Sequence, residues 1–295
     1  MDRSEQPEPL NPILLLVLAG LAFVVVEMTV TWTAARRLRN FGIVDVVWSL
    51  GFAPLIVVFL AFAARRFYDA KLDSFPEWSA VRACVLAAMG VLWSVRLGFH
   101  LFVRVKAHHP VEDVRYAKLR TDWGAATDRK MYRFFLLQGA LQVVLALPFV
   151  WVCLDDSPSP APAGLGFTGI AGLGLWIAGL VGESIADAQL ARFRGNPANR
   201  GKVCQAGLWA HSRHPNYFFE WLVWVGYAVF ASGAPWGWLA WISPLLMFHF
   251  LVNVTGIPMT EELSVKSKGD AYRLYQQTTN AFFPGPRRST PVRPA

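Results

Sequence analysis

The run Gly207-Leu208-Trp209-Ala210-His211-Ser212-Arg213-His214-Pro215-Asn216-Tyr217-Phe218-Phe219-Glu220 stands where a polar loop becomes an apolar helix. Pro215 has no N–H to donate and a φ already near the helical value, so it suits the first helical position. His214 or Ser212 is expected to cap that helix. It continues Trp221-Leu222-Val223-Trp224-Val225-Gly226-Tyr227-Ala228-Val229-Phe230. At 100° per residue, Asn216, Glu220, Trp224 and Tyr227 fall along one side. Glu220 is thus a carboxylate carried into an apolar run of membrane length. A charge near mid-membrane costs about 2.5–3.5 kcal/mol, which makes Glu220 a functional candidate by default. The plain structural alternative is that it pairs with a neighbouring Arg.

The composition around this run is that of a membrane protein. Of 295 residues, 54% are hydrophobic and 16% charged, and the mean hydropathy is +0.35. That is too apolar for an ordinary soluble domain. The net charge of +8 does not call for nucleic acid, because membrane proteins concentrate Lys and Arg in their cytoplasmic loops. Cys84, Cys153 and Cys204 have no CxxC spacing and no His partners, so neither a disulfide nor zinc is expected. Met1 to Pro12 has no basic region and no small-residue cleavage site, so it does not read as a signal peptide. The organisation expected is an N-terminal tail over 1–10, one transmembrane domain over 11–284 and a disordered tail over 285–295. The longest linker is the Pro-rich loop Ser157–Ala163.

Seven apolar runs are long enough to cross a bilayer of about 30 Å. They lie near 11–34, 43–63, 80–103, 131–153, 165–189, 215–233 and 236–256. The fold class predicted is an all-α, polytopic membrane helix bundle. Basic residues follow alternate spans: Arg36, Arg37 and Arg39; Arg104 through Lys130; Arg192 through Arg213; Lys266 through Arg293. The other connections hold only Arg65, Arg66 and Lys71. The positive-inside rule then places the N-terminus outside and the C-terminus in the cytoplasm.

On that topology the intramembrane polar residues share a depth. Asp45 opens the second span, Arg96 and His100 close the third, and Gln138 and Gln142 sit early in the fourth. Glu183 and Asp187 end the fifth, Asn216, Tyr217 and Glu220 open the sixth, and His249 and Asn253 end the seventh. Glu27 lies past the midpoint of the first. Independent helices do not place polar groups at one depth by accident, so an inner-leaflet polar cavity is expected, with these side chains facing inward and paired.

Two rows carry chemistry. Glu183, Asp187, Leu190 and Arg194 share one helix face, and so do Trp93, Arg96, His100 and Arg104. Two carboxylates one turn apart in a poor dielectric need a cation or a shared proton. The rows neutralise each other, or they form a site for a polyanionic cofactor, with Arg for phosphates and carboxylates for ribose hydroxyls or amides. The loop Arg192-Phe193-Arg194-Gly195-Asn196-Pro197-Ala198-Asn199-Arg200-Gly201-Lys202 is turn-rich and basic, as a phosphate grip or a plain cytoplasmic loop would be. Neither a GxGxxG after a strand nor a Walker motif occurs. Beyond the seventh span, Glu261-Glu262-Leu263 through Phe282-Phe283-Pro284 reads as an amphipathic tail able to lie on the cytoplasmic surface and cap the cavity.

The opening run, taken with Asp45-Val46-Val47-Trp48, Trp93-Ser94-Val95-Arg96-Leu97, Glu112-Asp113-Val114-Arg115-Tyr116, Leu137-Gln138-Gly139 and Ala186-Asp187-Ala188-Gln189-Leu190-Ala191-Arg192-Phe193, resembles the steroid 5α-reductase-like membrane proteins, in particular their bacterial branch of unassigned function. The resemblance covers nearly the whole chain. It implies a seven-helix bundle in a bacterial inner membrane that binds NADPH from the cytosol and reduces a polarised carbon–carbon double bond in a lipid or steroid-like enone. By motif position, Asp187, Arg194, Asn216 and Glu220 fall where the steroid reductases contact the cofactor, and Arg96, Arg213 and His214 complete the expected set. Glu220, Tyr217 and Asp45 are the catalytic candidates, with no metal. The Arg-His-Pro-x-Tyr run is similar as well to isoprenylcysteine and phospholipid methyltransferases, which use S-adenosylmethionine, and the motif does not separate the two classes. This chain has Trp93 where the steroid enzymes carry a tyrosine. An indole N–H is a poorer acid than a phenol, so the proton falls to Tyr217, Asp45 or Tyr116.

Overall fold

The computed structural model describes residues 11–69, 77–155 and 164–289. The tail 1–10, Lys71, the loop Ser157–Ala163 and Arg293 lie outside the described residues. Among the described residues the regular structure is helical, and six helices are long and apolar enough to cross a membrane. The chain divides into two compact units. One comprises Met1–Leu165 with Ala234–Gly237, the other Gly166–Gly233 with Trp238–Ala295.

The first unit contains α1 (Pro12–Leu38), α2 (Ile43–Asp69), α3 (Glu77–His108), α4 (Val114–Trp123), α5 (Thr127–Leu145) and α6 (Leu147–Cys153). Asn11 caps α1 by accepting a hydrogen bond from Ile13 N at 2.9 Å, with Pro12 at the first helical position. Arg36 and Arg37 occupy the last turn of α1, where they complement the negative end of the helix dipole. The expected single helix over 131–153 is two helices. Ala146 separates them, because Pro148 cannot donate to a carbonyl of the preceding turn. Pro54 lies inside α2, which continues through it, and leaves the Leu50 carbonyl without its helical donor. The hydroxyl of Ser94, on α3, stands at this point: it lies 2.6 Å from Ser49 O and 3.2 Å from Leu50 O, and accepts from Ala53 N at 3.2 Å. Inside a bilayer no water is present to do this, so a neighbouring helix must. Met28, Phe41, Val44, Tyr116, Met131 and Phe135 form a buried core where α1, α2, α4 and α5 meet.

The second unit contains α7 (Gly166–Gly195), α8 (Pro215–Ala231), α9 (Ile242–His249), α10 (Ile257–Lys268) and α11 (Asp270–Thr278). Helices α7 and α8 pack backbone to backbone through glycine. A Cβ on Gly172 would stand 2.5 Å from Phe230 N, and one on Gly226 would stand 2.7 Å from Trp176 N. Small residues at helix crossings are the usual way for apolar helices to gain close contact in lipid. The span expected over 236–256 falls within Gly237–Lys268, one of the six stretches long and apolar enough to cross a membrane, but it is not a plain α-helix: α9 passes into a π-helical turn over Phe250–Val254 before α10 begins. Helix α8 has 17 residues, about 25 Å at 1.5 Å per residue, slightly short of a 30 Å hydrocarbon core.

The C-terminal stretch is bound to the second unit further than expected. Arg213 N donates to Asn280 O at 2.9 Å, Gly285 N to His211 O at 3.0 Å and Arg288 N to Thr278 O at 2.9 Å. The Phe282 ring lies 5.8 Å from Phe218, 5.8 Å from Trp221 and 5.3 Å from Phe248. Residues 285–288, read from sequence as the start of a disordered tail, are therefore hydrogen-bonded to the 205–214 segment and to α11. Residues 290–295 lie outside the described residues.

Candidate functional site

The Gly207–Glu220 motif is the organising element of the second unit. The expected side-chain cap of α8 is not made by His214. Ser212 Oγ instead accepts from His214 N at 3.1 Å and lies 2.9 Å from Phe282 O. Arg213 Nε lies 2.6 Å from Glu261 Oε1, and Arg213 Nη1 donates to Gln276 O at 3.0 Å and Thr279 O at 2.5 Å. His214 Nε2 is 3.1 Å from the same Glu261 oxygen. Gln276 Nε2 donates to the other, at 2.7 Å. Tyr275 OH donates to Trp209 O at 2.5 Å and lies 3.1 Å from Ser212 O. Arg213 and His214, expected among the cofactor ligands, thus tie the start of α8 to α10, α11 and the tail.

Asn216, Tyr217 and Glu220 lie on the first turns of α8. Asn216 Nδ2 donates to Asp187 Oδ1 on α7 at 3.3 Å. Tyr217 OH is 3.1 Å from Thr260 Oγ1, and its ring stacks on His214 with centroids 5.3 Å apart. Glu220 is 7% exposed and accepts from Trp224 Nε1 at 2.9 Å. Glu183, on α7, is buried too. The Glu220–Trp224 pair follows from helical spacing and the Asn216–Asp187 pair from the glycine-mediated approach of α7 and α8, whereas Tyr217–Thr260 joins α8 to α10.

At the C-terminal end of α7 a cleft of about 330 Å³ is lined by Gln189, Arg192, Phe193, Asn196, Asn199, Cys204, Ala206 and Gly207. Gln189 Oε1 accepts from Leu208 N at 2.9 Å. Asn199 donates to Phe193 O at 3.0 Å. Gly207 has φ +60, and a Cβ there would meet the Gln189 amide, so glycine suits this position on both counts. Arg194 is exposed on the same turn of α7. Burial pushes the Cys204 thiol above its ordinary value, which makes it a poor nucleophile. The loop motif pointed to this region, whereas Gln189 and Cys204 were not anticipated, since neither carries a charge pattern.

Asp45 and Arg96 belong to the first unit. Asp45 Oδ2 lies 2.5 Å from Arg115 Nη2, and Asp45 Oδ1 accepts from Tyr116 OH at 2.6 Å. Asp113 Oδ1 takes Arg115 Nε at 2.9 Å. Burial works against the charge of Asp113, but its hydrogen bonds from Arg115 prevail and hold the carboxyl below the usual range. Glu112 receives a bidentate Arg120 at 3.0 Å and 3.0 Å and accepts from Phe41 N at 2.7 Å. The Glu112–Tyr116 motif is thus the tie between α4 and the start of α2. Arg96 is half-buried on α3, one turn from the exposed His100. Among the described residues no three His, Cys, Asp or Glu side chains converge to hold a metal ion.

Six apolar helices of spanning length, carrying buried carboxylates and amides between them, define an integral membrane protein. Residues 31–279 match the family described as protein of unknown function (DUF1295), and the chain belongs to that family. It is similar to an uncharacterized protein, C594.04c, of Schizosaccharomyces pombe (strain 972 / ATCC 24843), at 24% identity over 290 residues, covering 90% of this chain and 78% of the relative. No solved structure matches.

Proposed function

We propose that this protein is an NADPH-dependent reductase of a carbon–carbon double bond in a lipid or steroid-like enone taken from the bilayer. The observation that carries the reading is the polar lining of α7 and α8. It runs from the buried Glu220, through the Asn216–Asp187 hydrogen bond, in a unit that also holds the Arg- and amide-lined cleft at the end of α7. The residues fit a phosphate-bearing dinucleotide. Arg192 and Arg194 offer guanidinium groups, Gln189, Asn196 and Asn199 offer amides, and Asp187 and Glu220 offer acceptors for hydroxyl or carboxamide N–H. When bound, NADPH supplies the hydride. Glu220 would orient the ring by accepting hydrogen bonds, and Tyr217, on the same helix, is the candidate for moving the proton, while Arg213 and His214 hold α8 in place.

The same reading takes α8 as a seventh crossing, puts the N-terminus outside and the C-terminus in the cytoplasm, and places the protein in a bacterial inner membrane, in a steroid-reductase-like branch. The distribution of Lys and Arg supports this orientation. A reporter fused after Ala295 is expected to be active only in its cytoplasmic form. The deciding experiment identifies the nucleotide that co-purifies with detergent-solubilised protein. NADPH or NADP+ is the expected result. S-adenosylmethionine in its place would move the assignment to a lipid or isoprenoid methyltransferase, and neither compound would leave the reductase reading without its cofactor.

A further inference from the structure

Three helices of the first unit close around a polar pair outside every residue assigned above. Glu27 is on α1, Gln142 on α5, and Gly51 of α2 lies between them. A Cβ on Gly51 would overlap Glu27 Oε1 and stand 2.5 Å from Gln142 Nε2. Glycine there admits the carboxyl and the amide against the α2 backbone. Gln142 is 0% exposed, and its Nε2 donates to Trp48 O at 3.1 Å and also to the Glu27 carboxyl. Trp48 Nε1 in turn donates to Gln138 O at 3.0 Å. Both N–H groups of the Gln142 amide are therefore used, which also fixes its orientation: rotated by a half turn, its oxygen would face two acceptors.

The accounting then ends with two buried acceptors and no donor. Glu27 Oε2 and Gln142 Oε1 are both buried without a hydrogen-bond partner. A buried acceptor left unmade is costly, and a buried anion more so. A single proton on Oε2 removes the charge, turns one excess acceptor into a donor, and leaves Gln142 Oε1 as the acceptor in the same pair.

We propose that Glu27 and Gln142 form a proton-binding site, with Glu27 an un-ionised carboxylic acid within the membrane-spanning part of the first unit. The site does not depend on the reductase reading. Infrared spectra of the full chain in lipid at neutral pH, in H2O and D2O, test it. The wild type is expected to show the carbonyl stretch of an un-ionised acid, moving on deuteration, and Glu27→Gln to lose the intensity of one carboxyl. Gln142→Met, which keeps Glu27 but removes its donor, is expected to shift the same band to higher frequency, and this serves if Glu27→Gln does not fold. A wild type without such a band, or a band untouched by both substitutions, overturns the proposal. Loss in Glu27→Gln without a shift in Gln142→Met overturns the pairing.

Discussion

Arg213 and Glu261 lie 2.6 Å apart with side chains only 10% and 13% exposed, and this pair joins the start of α8 to α10. Removing one partner of such a pair leaves the other charge uncompensated, at a cost of about 3–5 kcal/mol. Glu261→Ala is therefore expected to lower the melting temperature sharply in detergent, since it strands Arg213, His214 and Gln276 together. Glu261→Gln, which still accepts hydrogen bonds, is expected to lose less.

The same network makes stability depend on pH. Burial holds the His214 imidazole below its ordinary value of 6.5, against the pull of Glu261. Its contribution is complete above that value and falls as pH drops through it, because the unfolded chain takes up a proton that the native chain refuses. Melting temperature is expected to decline below about pH 6.5, with a smaller slope in His214→Gln. An unchanged slope in the variant would assign the decline to other groups.

The one proton of the Ser94 hydroxyl has its shorter contact with Ser49 O, at 2.6 Å, while Leu50 O, which Pro54 leaves without its helical donor, lies 3.2 Å from the same oxygen. Ser94→Ala is expected to cost about 1–3 kcal/mol, the penalty of buried groups left unsatisfied. Pro54→Ala restores an N–H at this point, so the double variant is expected to recover part of the loss. Additive losses in a double-mutant cycle would contradict the bridge.

Glycines at α7 make a paired test. Gly172→Val places a side chain 2.5 Å from Phe230 N, whereas a Cβ on Gly174 meets nothing within 4 Å. The first is expected to destabilise by at least about 1–3 kcal/mol, since backbone cannot yield as a side chain can. Gly174→Ala is expected to stabilise by roughly 0.5–1 kcal/mol through helix propensity. Unfolding in detergent measures both.

Composition and the apolar runs made the helical membrane class legible, because bilayer thickness dictates run length whatever the partners are. The break at Ala146 and the π-helical turn at Phe250–Val254 were not legible, since hydropathy is blind to which carbonyl loses its donor. Likewise the basic and acidic motifs stood out, but charge alone does not tell a ligand from a tie. Arg213 and His214 turned out to face Glu261, a residue 48 positions away from Arg213. Only the docking of the tail makes that contact visible. Glu27 and Gln142 were seen as polar residues at one depth, while the glycine that brings them together, Gly51, gave no signal of its own.

For Arg194 the expected outcome separates two nucleotides. If it holds the ribose phosphate, Arg194→Ala weakens NADPH by about 1.5–3 kcal/mol, a charge-assisted hydrogen bond, and NADH much less. Binding measured for both nucleotides decides this, and an equal loss would reassign Arg194 to the shared diphosphate or to structure.

Glu220 is the sharpest test of the proposed function. Its carboxylate accepts from Trp224 Nε1 at 2.9 Å, one turn along α8, in a buried position. Gln in its place keeps the size and an oxygen for Trp224, and removes only the charge. If Glu220 orients the cofactor, Glu220→Gln folds normally while turnover falls by at least about 10²-fold, roughly 2.7 kcal/mol, because positioning of this kind is expressed in the barrier. If Glu220 serves only the packing of α8, the change acts on the fold instead, and a buried neighbour left uncompensated lowers the melting temperature. Thermal unfolding measured beside turnover separates the two. A large drop in melting temperature with activity retained at low temperature would remove Glu220 from the catalytic set, and a stable variant with full turnover would do the same.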